Sequence, residues 1–148
     1  GMVTLLGQKL DLTSKFKAAG FSVGETTEDG ADVALALASA GGVYVRDSDP
    51  VLIREVVAWL QQQTWCGPLF TRNRSDTLSQ AQIFTEHRRA ADISLVLKSD
   101  DARNKSGIEG STVHDCGYPE GGGMHGGLHE CDRLDTVRIA SGVVEAEN

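Results

Sequence analysis

The chain has 148 residues, 40% hydrophobic, 24% charged and 5% aromatic, with 17 glycines and 3 prolines. That balance suits a single globular domain over residues 1–148 with its own core better than a disordered chain. With 14 Lys and Arg against 21 Asp and Glu, the formal net charge is -7, which disfavours a general binder of nucleic acid or of an anionic membrane surface. No apolar run approaches the roughly 20 residues of a membrane span, and the opening GMVTLLGQKLDLTSKF lacks a signal-peptide pattern, so a cytoplasmic location is expected. Cys66, Cys116 and Cys131 are odd in number and form no CxxC pair, which reads as thiols rather than a disulfide framework.

Between residues 4 and 19, Leu5, Leu6, Leu10, Leu12 and Phe16 recur unevenly, predicting a short helix or two helical turns before Gly20. The polar GETTEDGAD segment reads as a solvated turn rather than a cation site. In ADVALALASAGGVYVRD, alternation of Val33, Leu35 and Leu37, then of Val43 and Val45, predicts a strand, a turn at Gly41–Gly42 and a second strand. The alanines leave a helix open for the first arm.

Asp49–Pro50 supplies a capping acceptor and a pre-set helical dihedral, and Leu52, Val56, Trp59, Leu60 and Gln63 follow at helical spacing. This helix should end before Cys66–Gly67–Pro68, with a short strand at Pro68 to Thr71 after it. Arg72, Arg74, Arg88 and Arg89, with His87, read either as solvated loop cations or as a site for an anionic substrate. Ile93, Leu95 and Leu97 alternate within a strand over Asp92 to Lys98, the polar SDDARNKSGIEG reads as a loop, and Val137 and Ile139 mark one more strand. Strands alternating with a central helix, without an internal repeat, favour α/β or α+β.

Chemistry concentrates in STVHDCGYPEGGGMHGGLHEC, which holds His114, His125 and His129 with Asp115, Glu120, Glu130 and two cysteines. Imidazole and carboxylate donors suit zinc, manganese or iron, and glycine lets backbone approach an ion or a phosphate closely. His114 and Asp115 are adjacent, so on a regular strand they face opposite ways and meet at one centre only where the strand ends or twists. His125 and His129 are four apart, but Gly126–Gly127 between them argues against the rigid helix of an HExxH zinc site. Three readings stay open: a metal site, a structural glycine-rich loop, or another catalytic arrangement such as a Cys116 thiol beside His114. Neither GxGxxG nor GxxxxGK[ST] is present.

The segments GVYVRD, GPLFTR, RRAADISLVLKSDDARNKSGIEG and HDCGYPEGGGMHGGLHE, followed by TVRIASG, resemble the carboxy-terminal part of type I phosphodiesterase or nucleotide-pyrophosphatase-like proteins of the alkaline phosphatase superfamily. The likeness spans roughly residues 42 to 142 and is strongest in the glycine-rich histidine segment. It implies an α/β class, a small two-layer or three-layer sheet-and-helix domain like the terminal part of the alkaline phosphatase fold. By motif position it implies Asp115 as the late metal Asp and His125 as the later metal His. Where the family pattern is Asp-His-Gly, this chain has His114-Asp115-Cys116-Gly117, so either His114 serves from the preceding position or Cys116 replaces a ligand. His129 has no family assignment.

The resemblance also implies a divalent cofactor, zinc or manganese, and a phosphate-ester substrate held and activated by metal. The segments that carry the family's nucleophile and its further Asp and His ligands are not recognisable here, and Thr71 in GPLFTR belongs to a different region. The expected function is therefore a partial or derived metal-dependent phosphoester hydrolase domain, inactive alone or completed by a second copy or a complementing protein that pairs with open sheet edges. The alternative is a non-catalytic metal-binding or protein-interaction module.

Overall fold

The short helix expected before Gly20 is present, but a strand precedes it. The structure, a computed structural model, describes residues 4–72, 76–83, 87–103, 107, 109–115, 123–124, 137–140 and 143–146. Strand β1 covers Thr4–Lys9, and helix α1 begins only at Leu12, running Leu12–Ala18 behind the Asp11 cap. Asp11 accepts hydrogen bonds from the Ser14 amide at 3.1 Å and the Ser14 hydroxyl at 2.7 Å, so the helix starts where a side chain first satisfies its open amides. Gly20, at φ +98°, lets the chain turn away after it.

Strand β2 (Val23–Gly24) leads through the polar turn to β3 (Val33–Leu37) and β4 (Ala40–Val45). These two pair antiparallel, Val33 opposite Val45 and Leu37 opposite Gly41. The reversal therefore lies at Ala38–Ser39, and Gly41–Gly42 sit inside β4 rather than at the turn. Close approach explains their identity: a Cβ at Gly41 would meet the Ala36 carbonyl oxygen, and one at Gly42 would meet the Ala91 Cβ.

Helix α2 spans Pro50–Leu60 as the sequence predicts, with the Asp49 carboxylate accepting the Val51 amide at 2.9 Å. Strands β5 (Cys66–Thr71), β6 (Leu78–Ser79) and β7 (Ile93–Leu97) follow. The segment expected as a polar loop instead holds β8 (Ser99–Arg103) and the start of β9 (Glu109–His114). Two-residue β10 (Gly123–Met124) and the strands β11 (Val137–Ala140) and β12 (Val143–Ala146) complete the described strands.

Among the described residues three sheets form: a six-stranded sheet in the order β2-β3-β4-β7-β5-β6, a four-stranded sheet in the order β10-β1-β9-β8, and the β11-β12 pair. Lys98 joins the first two, donating its amide to the Trp65 carbonyl at 2.9 Å while its own carbonyl accepts the Val113 amide at 3.1 Å. The architecture is mixed α/β. One face of the six-stranded sheet presents Val43, Val45, Ile93, Leu95 and Leu97 to a core that both helices enter, through Leu12 and Phe16 and through Leu52, Val56 and Leu60. Phe16 and Trp59 lock the helices edge to face at 4.6 Å and 67°. No described helix is long and apolar enough to cross a membrane.

Candidate functional site

Of the three residues expected to ligate metal, His114 and Asp115 are described and His125 lies outside the described residues, as do Cys116, Glu120, His129, Glu130 and Cys131. His114 ends β9 and is fully buried, as is Thr112 two residues earlier, while Val113 packs on the core shared with the helices. This is the strand alternation that the sequence implies. The His114 carbonyl accepts the Leu10 amide at 2.7 Å and anchors the link between β1 and α1.

Asp115 is directed toward the first turn of α1. Its Oδ2 accepts the Leu12 amide at 3.2 Å, and its own amide donates to the Ala38 carbonyl at 2.9 Å. Two carboxylates thus serve one helix start, Asp11 at Ser14 and Asp115 at Leu12, where the helix dipole favours negative charge. The Ser14 hydroxyl first, and then its amide, hold the Asp11 carboxyl below the usual carboxylate range.

Strand register sets how far the rest of the glycine-rich segment stands from this pair. In β1, Lys9 faces His114, whereas Thr4 faces Met124 and Leu5 faces Gly123. Five strand steps separate Thr4 from Lys9, about 17 Å at about 3.3 Å each. His114 is thus at one end of β1 and Met124 at the other. Among the described residues no group of three His, Cys, Asp or Glu side chains converges as a metal cradle. With Oδ2 of Asp115 occupied by an amide, the described pair does not by itself fit a divalent ion.

The arginines fall into place differently. Arg72, Arg88 and Arg89 line a single cavity of about 230 Å³ together with Tyr44, Ser48 and Thr27, and Arg74 lies outside the described residues. Sequence reasoning singled out the arginines but missed Tyr44 and Ser48. Cys66 is a half-buried free thiol, and burial pushes its pKa up to about 11. Thr71 is buried with its hydroxyl 2.5 Å from that of Thr77, so it has a local structural contact. No family model, curated protein or solved structure matches the chain.

Proposed function

We propose that this chain is a partial metal-dependent phosphoester hydrolase domain, inactive alone, that contributes His125 to a metal centre completed by residues beyond its described part. The observation that carries the reading is the placement of β10. Among the described residues, Gly123–Met124 form the outermost strand of the four-stranded sheet, paired on one side to β1, and His125 is the next residue in the chain. An outermost strand keeps backbone donors and acceptors on its other side for a further strand.

In this reading Asp115 is a positioning residue: it fixes the start of α1 and, through the Ala38 contact, the β3–β4 turn. When bound, the metal would polarise the phosphoryl group and activate an attacking oxygen. The present chain supplies the His125 imidazole as one ligand of that centre.

The test is turnover of bis(p-nitrophenyl) phosphate by the full chain with zinc or manganese. The expected result is saturable metal binding without turnover above the metal-only rate. Turnover that co-purifies with the folded protein and falls with His125→Ala would show a self-sufficient enzyme and overturn the incomplete-site reading.

A non-catalytic metal-binding or protein-interaction module is the second reading. One observation favours it: the only described carboxylate of the expected ligand set, that of Asp115, is tied to a backbone amide.

A further inference from the structure

The face of the six-stranded sheet opposite the helices is surfaced by small side chains. Ala36, Gly42 and Ser94 floor a groove of about 520 Å³ walled by Tyr44, Phe70 and Ile83. Tyr44 is 41% and Ile83 38% exposed, so apolar surface stands open at its mouth. A groove of this size, mostly apolar with a few polar groups at one end, has the make-up of a small-molecule site.

Polar groups do gather at one end. The groove shares Tyr44 and Ala90 with the 230 Å³ cavity lined by Arg72, Arg88 and Arg89. Two carboxylates, those of Asp47 and Asp92, line the same cavity, so three cations stand against two anions and the excess is one positive charge. Asp92 is engaged, its Oδ2 accepting the Val45 amide at 2.7 Å. Among the described residues, none of the three arginines forms an ion pair; the pair present is Arg46–Asp32. In a chain of net charge -7, this is a local reversal of sign with the fork-shaped donors that suit carboxylate and phosphate oxygens.

The segment that presents the arginines is fixed from several directions. The Arg72 Nη2 donates to the His87 carbonyl at 2.9 Å, the Tyr44 hydroxyl to the Arg89 carbonyl at 3.4 Å, and the Gln80 Nε2 to the Ala91 carbonyl at 2.7 Å. The His87 Nδ1 accepts the Arg89 amide at 3.1 Å. On the opposite wall, Asp47 and Ser48 hold φ values of 54° and 47°, a left-handed pair of non-glycine residues that costs energy to maintain. Part of the ordering cost of binding is therefore met before a ligand arrives.

We propose that the joined cavities bind an organic oxyanion with an apolar body, its anionic head among Arg72, Arg88 and Arg89 and its body along the Ala36–Gly42–Ser94 floor. Charge complementarity selects the head, and the small side chains leave room for an unbranched chain or a flat ring. The site belongs to the six-stranded sheet, apart from the sheet that carries β10, and does not depend on the metal reading.

Calorimetric titration of the full chain with octyl phosphate, octanoate, inorganic phosphate and octanol tests this, all below micelle concentrations. At least one of the two octyl anions should bind saturably and at least tenfold more tightly than both octanol and inorganic phosphate. Which of the two binds better identifies the head group. Arg88→Ala and Arg89→Ala, both at exposed positions, should weaken that binding at least tenfold while leaving the thermal midpoint unchanged. Ala36→Phe, at an exposed floor position, should weaken the octyl anions and leave any inorganic phosphate binding as it was. Octyl anions that bind no better than the head or the body alone, or that bind equally to the arginine variants, would overturn the proposal.

Discussion

The Asp115 carboxylate accepts the backbone amide of Leu12 at 3.2 Å across 103 residues of chain. This bond ties the end of β9 to the start of α1, and the parallel pairing of Lys9 with His114 lies just behind it. A seven-residue helix is too short to be stable from its own hydrogen bonds, so its position depends on such external caps and on burial of Leu12 and Phe16.

Asp115→Ala should therefore destabilise the fold by about 0.5–2 kcal/mol, the range for loss of a helix-start acceptor. Urea unfolding followed by tryptophan fluorescence reads it, because Trp59 packs against Phe16 of the same helix. An unchanged midpoint would show that the bond contributes nothing.

Gly41→Ala should cost more than about 1 kcal/mol. Gly41 has φ +152° and a Cβ there would collide with the Ala36 carbonyl across the β3–β4 pair, so an L side chain faces both strain and overlap. Thermal denaturation of the variant against wild type reads the loss. Equal midpoints would contradict the close strand approach.

The Asp32 carboxyl is held below its usual range, chiefly by the Ser22 amide at 2.9 Å and further by Arg46 at 2.8 Å. A lowered folded-state pKa contributes stability above the ordinary value of about 3.9, and that contribution is lost as pH falls through it toward the folded value. Wild type should be more stable than Asp32→Asn near neutrality, and the gap should close below about pH 4. Unfolding midpoints across that range check this; a gap independent of pH would contradict it.

With its pKa near 11, the Cys66 thiol should stay protonated at pH 8 and react slowly, since the thiolate is the nucleophile. In a background with Cys116→Ser and Cys131→Ser, iodoacetamide should label folded Cys66 at least tenfold more slowly than the urea-unfolded chain. Its rate should still rise above pH 9. A plateau by pH 9 would contradict the burial effect.

Helix α2 is legible in the sequence because its cap, its proline and its apolar spacing agree locally. The alternating residues of β3, β4 and β7 are legible for the same reason. Strand β1 is not, because its conformation comes from pairing with β9 about 100 residues later, and tertiary pairing overrides an ambiguous local pattern. The polar strand β8 lacks apolar alternation and is specified by its neighbour in the sheet. Glycine chemistry misleads at Gly41–Gly42, where close approach rather than a turn demands it.

At the candidate site, it is readable from sequence that His114 and Asp115 escape strand alternation only where the strand ends, and β9 does end at His114. The Leu12 partner of Asp115 is not readable, nor is the gathering of Arg72, Arg88 and Arg89 with Tyr44, since both depend on contacts between distant segments.

The most direct measurement is a zinc titration of the metal-stripped full chain, comparing wild type, His125→Ala and Asp115→Asn. Wild type should bind saturably, His125→Ala at least tenfold more weakly, about 1.4 kcal/mol, and Asp115→Asn close to wild type. Equal binding by wild type and His125→Ala would contradict the assignment of the metal role to His125.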